Sequence, residues 1–367
     1  MKVLIVSENF IPVQSPRAFR TYELAKELAR QGHEVKVICL TGQKGIVDYD
    51  YDTLEKETNI KISVVSLKHK LPQNRYVARI ASLLFAWPLC EITVKLPQII
   101  NNEPKYDMLI SIAAPHQVHW GISRLGDRIK KKFKMWVADC GDPFMGNKAD
   151  TFSPPFYFKY IEKRWCRLCD YITIPVESGK EGYYKEFWNK IRVIPQGFNF
   201  EESKPNRAYV KNTVPTFIFA GGFIPGLRDP KLFLEYLAHV EAEFRFVIYT
   251  NNDALLQPYK QQFGAKLEVR SYIPRTELLQ ELSAADFLVN FENGNTSVQV
   301  PSKLIDYSLA NRPVLSVNSY ELDEQNIQKF LNGDYSGKML LPDLSQYDIR
   351  VVVKQFVDLY KEKISTK

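Results

Sequence analysis

The sequence lacks the marks of several common protein classes. It has only five cysteines in 367 residues: Cys39, Cys90, Cys140, Cys166 and Cys169. Their number is odd, and no two C-x-x-C pairs stand at zinc-site spacing. A disulfide framework and a structural zinc module are both excluded. The single C-x-x-C, Cys166 and Cys169, lies in a stretch that reads as helix, so the cysteines are expected as free thiols of a reducing cytosol. No apolar run is long enough to span a bilayer, since the longest, Ile80–Cys90, is short and contains Pro88. The apolar run after Lys2 is only Val3–Val6, too short for a signal peptide. A soluble or membrane-peripheral cytoplasmic protein is expected. Low-complexity tracts and internal repeats are missing. So is G-x-G-x-x-G after the first strand, which argues against a nicotinamide-dependent enzyme.

What is present is an ordinary globular composition, 45% hydrophobic and 25% charged, in a chain long enough for about two domains. The charge is uneven. Residues 1–200 hold 30 Lys+Arg against 21 Asp+Glu, a balance of +9; the remainder, 19 against 21, gives −2 and restores the stated +7. A basic N-terminal half suits an anionic partner, but no nucleic-acid recognition motif accompanies the charge.

Strand-like and helix-like segments alternate. Lys2–Ser7 reads as a strand, Arg17–Gln31 as an amphipathic helix closed by Gly32, and Glu34–Leu40 as a second strand. Further strands are predicted at Ile60–Val65, Tyr106–Ile112, Lys134–Ala138, Asp170–Ile174 and Ile191–Ile194. A polar stretch with Pro205 and Pro215 interrupts the series and reads as a linker. A second series follows. Its strands are Phe217–Ala220, Phe244–Thr250, Leu267–Tyr272, Asp286–Phe291 and Pro313–Val317. Its helices are Pro230–Val240, Arg275–Ala285 and Ser302–Ala310. The fold class is therefore α/β, two tandem Rossmann-like doubly wound domains facing a central cleft. The expected divisions are an N-terminal domain at 1–198, a linker at 199–213, a C-terminal domain at 214–345, and a last helix in 346–367 that crosses back to the first domain.

The segment Val300–Val314 carries the strongest chemical signal. Ser302 suits an N-cap, and the free N–H groups of Lys303 and Leu304, with the Lys303 ammonium, make an anion site. Asp306 follows about one turn on, where a carboxylate can accept both hydroxyls of a ribose. Upstream, Gly221, Gly222 and Gly226 follow a strand and let backbone approach a phosphate, and Arg228 is placed to pair with a diphosphate. In the first half, Asp142 follows a strand and can orient or deprotonate an acceptor hydroxyl. Each of these residues also admits a plain structural role.

The stretch Val300-Pro301-Ser302-Lys303-Leu304-Ile305-Asp306-Tyr307 through Pro313-Val314 resembles the "P-S-K-L-x-E-Y" segment of glycosyltransferase family 4 and similar GT-B enzymes. Gly32-His33-Glu34-Val35, Val193–Gly197, Phe219–Gly222 and Ala284-Ala285-Asp286 resemble other pieces of that family in the same order, so the resemblance covers nearly the whole chain. It implies a GT-B fold and transfer of a sugar from a nucleotide-diphosphate sugar to a hydroxyl of a glycan or polyprenyl-linked acceptor. It further implies retention, no cofactor beyond the donor, and no metal, which also sets aside the D-x-D spacing in Asp48–Asp52. The setting it implies is bacterial surface polysaccharide or glycoconjugate synthesis. By resemblance, Asp306 holds the ribose, Tyr272 and Ile273 meet the base, and Arg228 and Lys303 neutralise the leaving diphosphate. Likewise His116 contacts the transferred sugar, with His119 as its competitor. The loop with Ser15, Arg17 and Arg20 faces donor phosphates or acceptor in place of the family's two glycines. The second acid that many members carry eight residues before Asp306 is here Val298.

Two other functions fit the same architecture: a nucleotide-sugar epimerase, and a non-catalytic nucleotide-sugar-binding protein. Lys68–Lys95, finally, interleaves Lys68, Lys70, Arg75 and Arg79 with Leu83, Leu84, Phe85 and Trp87. This pattern suits either an anionic membrane surface or the lining of an acceptor pocket.

Overall fold

A computed structural model describes residues 1–13, 15–68, 74–147, 154–201, 208–292, 302–341 and 343–365. Val298, Val300 and Pro301, which belong to the expected nucleotide segment, lie outside the described residues, as does Lys70 of the basic stretch. The chain divides into two compact units, one of residues 1–199 with 345–367 and one of residues 200–344.

The first unit holds seven strands: β1 Lys2–Ser7, β2 Glu34–Thr41, β3 Ile60–Ser66, β4 Tyr106–Ala113, β5 Phe133–Cys140, β6 Tyr171–Ile174 and β7 Ile191–Val193. They form one sheet in the order β3-β2-β1-β4-β5-β6-β7, and every pairing is parallel. Such a sheet is covered on both faces, so its strands are continuous apolar runs; Val3, Leu4, Ile5 and Val6 are fully buried. The second unit holds β8 Thr216–Ala220, β9 Arg245–Tyr249, β10 Leu267–Arg270, β11 Phe287–Phe291 and β12 Val314–Val317, in the order β10-β9-β8-β11-β12, again all parallel. All twelve strands fall on the runs that the sequence predicts, within one or two residues at their ends.

The helix Pro16–Arg30 starts where Ser15 Oγ accepts from Ala18 N at 3.1 Å, with proline in the first turn. Gly32, just past its end, has φ +82, the left-handed geometry of a helix stop. The last helix, Ile349–Ser365, buries Ile349, Val352, Val353 and Phe356 in the same core as Val3, Ile5 and Leu24 of the first unit. Tyr360 Oη donates to Asp107 at 3.2 Å, and Lys363 pairs with Asp170 at 2.8 Å. Within the second unit, the segment that leads into β8 is fastened by Asp286. Its carboxylate accepts from Asn212 N at 3.1 Å, from Thr216 N at 2.7 Å and from Tyr209 Oη. The Asp of the Ala-Ala-Asp piece is thus a structural anchor.

Candidate functional site

In an open parallel sheet, ligands collect beyond the carboxyl ends of the strands, where the strand order reverses. That point lies between β8 and β11 in the second unit and between β1 and β4 in the first.

After β8 the chain makes a tight loop. Ile224 and Arg228 exchange backbone hydrogen bonds of 3.2 and 2.9 Å, and Gly226 between them has φ +67, a conformation that favours glycine. The Asp229 carboxylate accepts from Gly226 N and Lys231 N, and Asp229 N donates to Ser319 Oγ at 3.0 Å. The loop is therefore braced from within and by the segment after β12. The next helix begins at Lys231 rather than Pro230, so Pro230 is its N-cap and Asp229 stands one residue before the cap, accepting from Lys231 N at 3.0 Å.

After β11 comes the helix Ser302–Ala310. Tyr307, fully buried, fixes it: its Oη donates to Val289 O of β11 at 3.0 Å and accepts from Ala220 N of β8 at 3.1 Å. One side chain thereby sets the helix against both strands of the switch point. Sequence reading passed over Tyr307, because an aromatic at helical spacing reads as core. Leu304 is also core by its side chain, so only its backbone N–H is available for an anion.

Lys303 turns back under the loop. Its ammonium donates to Phe291 O at 3.3 Å and lies 5.1 Å above the Phe219 ring. Burial, and then the charge of nearby Arg228, depress its pKa to about 7. Arg228 Nε is itself buried and lacks a partner among the described residues. Two neighbouring cations thus meet with no carboxylate from the described residues paired to either. Isolated buried charge of one sign is costly, so the arrangement is complementary to an anion.

Asp306 is paired within the unit. Arg275 Nε donates to its Oδ1 at 2.8 Å, and Nη2 lies 2.7 Å from the same oxygen as an ion-pair contact. Burial still raises the Asp306 pKa against the opposing pull of Arg275. Arg275 opens the helix Arg275–Ala284 directly after Tyr272–Pro274, and no periodicity reveals a partner 31 residues away. Tyr272 is about half exposed. A Cβ at Gly222 would lie 4.0 Å from its hydroxyl, so Tyr272, Gly222 and the β8 loop share one rim. The Ile273 side chain packs on the core instead. Gly221 takes φ +151 and donates its N–H to Tyr249 O at 3.0 Å.

In the first unit the two arginines of the β1 loop have different fates. Arg20 is buried and spent: Nε and Nη2 bind Asp139 at 3.1 and 2.8 Å, and Nη1 donates to Pro195 O. Asp139 also accepts from Thr173 Oγ1 at 2.6 Å, and despite burial its pKa is lowered by Arg20. The expectation that Arg20 faces a ligand is therefore corrected. It ties the helix Pro16–Arg30 to β5 and to the segment after β7. Arg17 is half-buried, and the Nη2 end of its guanidinium lies against Gly141, where a Cβ would sit 1.1 Å from it. It brings positive charge to the end of β5 and helps depress the His116 pKa.

His116 Nε2 donates to the Asp142 carbonyl at 3.0 Å, while Nδ1 is buried without a partner among the described residues. Burial lowers its pKa to about 4, so the ring is neutral at pH 7. His116 holds the turn that carries the exposed Asp142 carboxylate. His119 points inward, bonded to Ser111 Oγ at 2.8 Å and to Cys140 Sγ at 3.3 Å. Donor atoms of His116, His119 and Cys140 lie within 4.8 Å of one another, a grouping not foreseen from the sequence. Cys166 and Cys169 are buried free thiols whose pKa burial raises.

No family model matches the sequence, and no curated protein matches it. The similarity lies in solved structures. A glycosyltransferase from Rickettsia africae is 12% identical with a TM-score of 0.61, covering 100% of this chain and 99% of that one. HepE of Anabaena in complex with UDP-glucose is 10% identical with a TM-score of 0.60, over 99% and 100% of the two chains. The UDP-GlcNAc 2-epimerase of Neisseria meningitidis bound to UDP-GlcNAc is 14% identical with a TM-score of 0.56, over 100% of each chain. These likenesses run the length of the sequence, and with the two parallel sheets they establish its fold as GT-B, two Rossmann-like α/β domains in tandem.

Proposed function

We propose that the chain is a glycosyltransferase that takes a sugar from a nucleotide-diphosphate sugar and passes it to a hydroxyl of a glycan or lipid-linked acceptor. The observation that carries this reading is the pair of unbalanced cations, Arg228 and Lys303, at the switch point of the second unit and at the tip of the helix Ser302–Ala310. A diphosphate supplies the missing negative charge. The backbone N–H groups of Ser302, Lys303 and Leu304 and the rim formed by Gly221 and Gly222 complete its cradle. The Asp306 carboxylate takes the ribose, with Arg275 as the residue that positions it. Tyr272 and the backbone of Ile273 border the base.

As the glycosidic bond to the diphosphate breaks, negative charge grows on the leaving oxygens. Arg228 and Lys303 stabilise it without a covalent intermediate or a metal. In the first unit, Asp142 receives the proton of the acceptor hydroxyl. Arg17 and the Ser15 loop hold an anionic part of acceptor or donor. The resemblance to glycosyltransferase family 4 supports transfer with retention and a place in bacterial surface polysaccharide synthesis.

The test is thermal stability with UDP, the nucleotide of the ligands named for HepE and the Neisseria epimerase. A ligand at about 100 times its Kd stabilises a protein by about 2.7 kcal/mol. Wild-type protein is expected to show such a shift, and Lys303→Met and Asp306→Ala to lose most of it. An unaltered shift in both variants would remove the reading.

The epimerase likeness supports a second function of the same site. It is separated by incubating the protein with UDP-GlcNAc and no acceptor: an epimerised product favours isomerisation, whereas slow hydrolysis favours transfer.

A further inference from the structure

The helix Arg75–Phe85 is amphipathic, yet none of its residues is buried. Tyr76, Val77, Ile80 and Leu84 fall at i, i+1, i+4 and i+8 and form one apolar stripe. That stripe faces outward: Tyr76 is 67%, Ile80 55% and Leu84 42% exposed, and Phe85 beside it is 66% exposed. A helix of a globular protein normally turns such a stripe to the core. The next helix, Cys90–Asn102, does so, burying Ile92, Leu96 and Ile100. The two helices meet at a bend of 54°. With the second helix committed to the core, the pair does not form a span, and the first lies on the surface of its unit.

A second segment extends the patch. Tyr157 Oη donates to the Leu84 carbonyl, which ties the start of the helix Phe158–Leu168 to the exposed one. On that segment Phe156 is 71% and Tyr160 62% exposed, with the Lys159 ammonium 5.0 Å from the Tyr160 ring.

Within the two segments the charge is of one sign. From Asn74 to Cys90 the chain has Arg75 and Arg79 and no acidic residue; from Pro154 to Ile161 it has Lys159 and none. We infer that this face, the Arg75–Phe85 stripe with Phe156 and Tyr160, docks the first unit on an anionic lipid bilayer. Its side chains enter the headgroup boundary, and Arg75, Arg79 and Lys159 meet lipid phosphates. Aromatic and aliphatic side chains interleaved with cations match that interface. The inference stands apart from the nucleotide site, which belongs to the other unit.

Co-sedimentation of the full chain with vesicles tests it. One set is phosphatidylcholine alone, and the other contains about one third phosphatidylglycerol. Binding to the anionic vesicles is expected to be at least about tenfold tighter than to the neutral ones and to weaken with added salt. Ile80→Glu with Leu84→Glu, and Arg75→Glu with Arg79→Glu, should each reduce it by about tenfold or more. All four positions are exposed, so the variants should keep the wild-type melting temperature, which verifies their fold. The inference is overturned if wild-type protein stays in the supernatant, if binding ignores lipid charge, or if both double variants sediment as wild type does. It is also overturned if size-exclusion chromatography shows a dimer that Ile80→Glu dissociates while vesicles remain unbound, which would assign the face to a second copy.

Discussion

Lys303 is the residue on which the chemistry turns. Burial and Arg228 hold its pKa near 7, so in the unliganded protein a large fraction is neutral just above that pH. A bound diphosphate favours the charged form and raises the pKa, so ligand binding above pH about 7 takes up a proton. Affinity is then fully expressed below the unliganded pKa and falls as pH rises through it, by at most about tenfold per unit. UDP-glucose is the ligand to use, because a diphosphate diester has no ionisation of its own in this window. Calorimetric titration from pH about 7 to about 9 should show that fall in wild type. Lys303→Arg, which stays charged, should bind with little dependence on pH. A flat wild-type profile would mean that the ammonium does not meet the anion. Local sequence named Lys303 and Arg228 through their places beside glycines and a helix start. It named Arg20 as readily as Arg17, because nothing in the loop tells which guanidinium finds a buried carboxylate across the sheet. The same blindness hid the Arg275–Asp306 pair: long-range ion pairs leave no local trace.

Elements were far more legible than pairings. Both sheets were readable because parallel strands, buried on two faces, appear as uninterrupted apolar runs such as Lys2–Ser7 and Phe287–Phe291. Loops at strand ends were less so, since their shape depends on what packs against them. Gly141 and Gly146 show the difference, for a string of residues cannot say which glycine is crowded or by what. A Cβ at Gly141 would collide with the far end of Arg17, a flexible side chain that can move. A Cβ at Gly146 would lie 2.2 Å from the backbone oxygen of Gly182, which cannot. Gly146→Ala is therefore expected to lower stability by about 1–3 kcal/mol in denaturant titration. Gly141→Ala should cost less than about 1 kcal/mol while displacing the Arg17 guanidinium. If Arg17 serves the reaction, Gly141→Ala should reduce donor turnover about as much as Arg17→Ala, and the double variant should lose little more. Full activity in Gly141→Ala would leave Arg17 as surface charge alone.

At the scale of the whole molecule, the last helix is the element that contradicts sequence order. Ile349–Ser365 follows the second unit in the chain but completes the core of the first, with Val352, Val353 and Phe356 fully buried. Gly197 allows the approach, since a Cβ there would stand 2.5 Å from Ile349 Cδ1. The cores themselves are separate: Phe356 packs in one with Val3 and Leu24, and Tyr307 in another with Leu279 and Val314. Domains with their own cores unfold as their own units. Phe356→Ala removes a fully buried ring and should cost about 3–5 kcal/mol. Scanning calorimetry should show that loss in the transition of residues 1–199 with 345–367. The transition of residues 200–344 should keep its temperature and its rise with UDP. Should Phe356→Ala lower both transitions equally, or abolish the UDP response, the two units would share one cooperative fold and the nucleotide would depend on both. A change confined to the first transition would place Phe356, despite its position near the C-terminus, in the N-terminal folding unit.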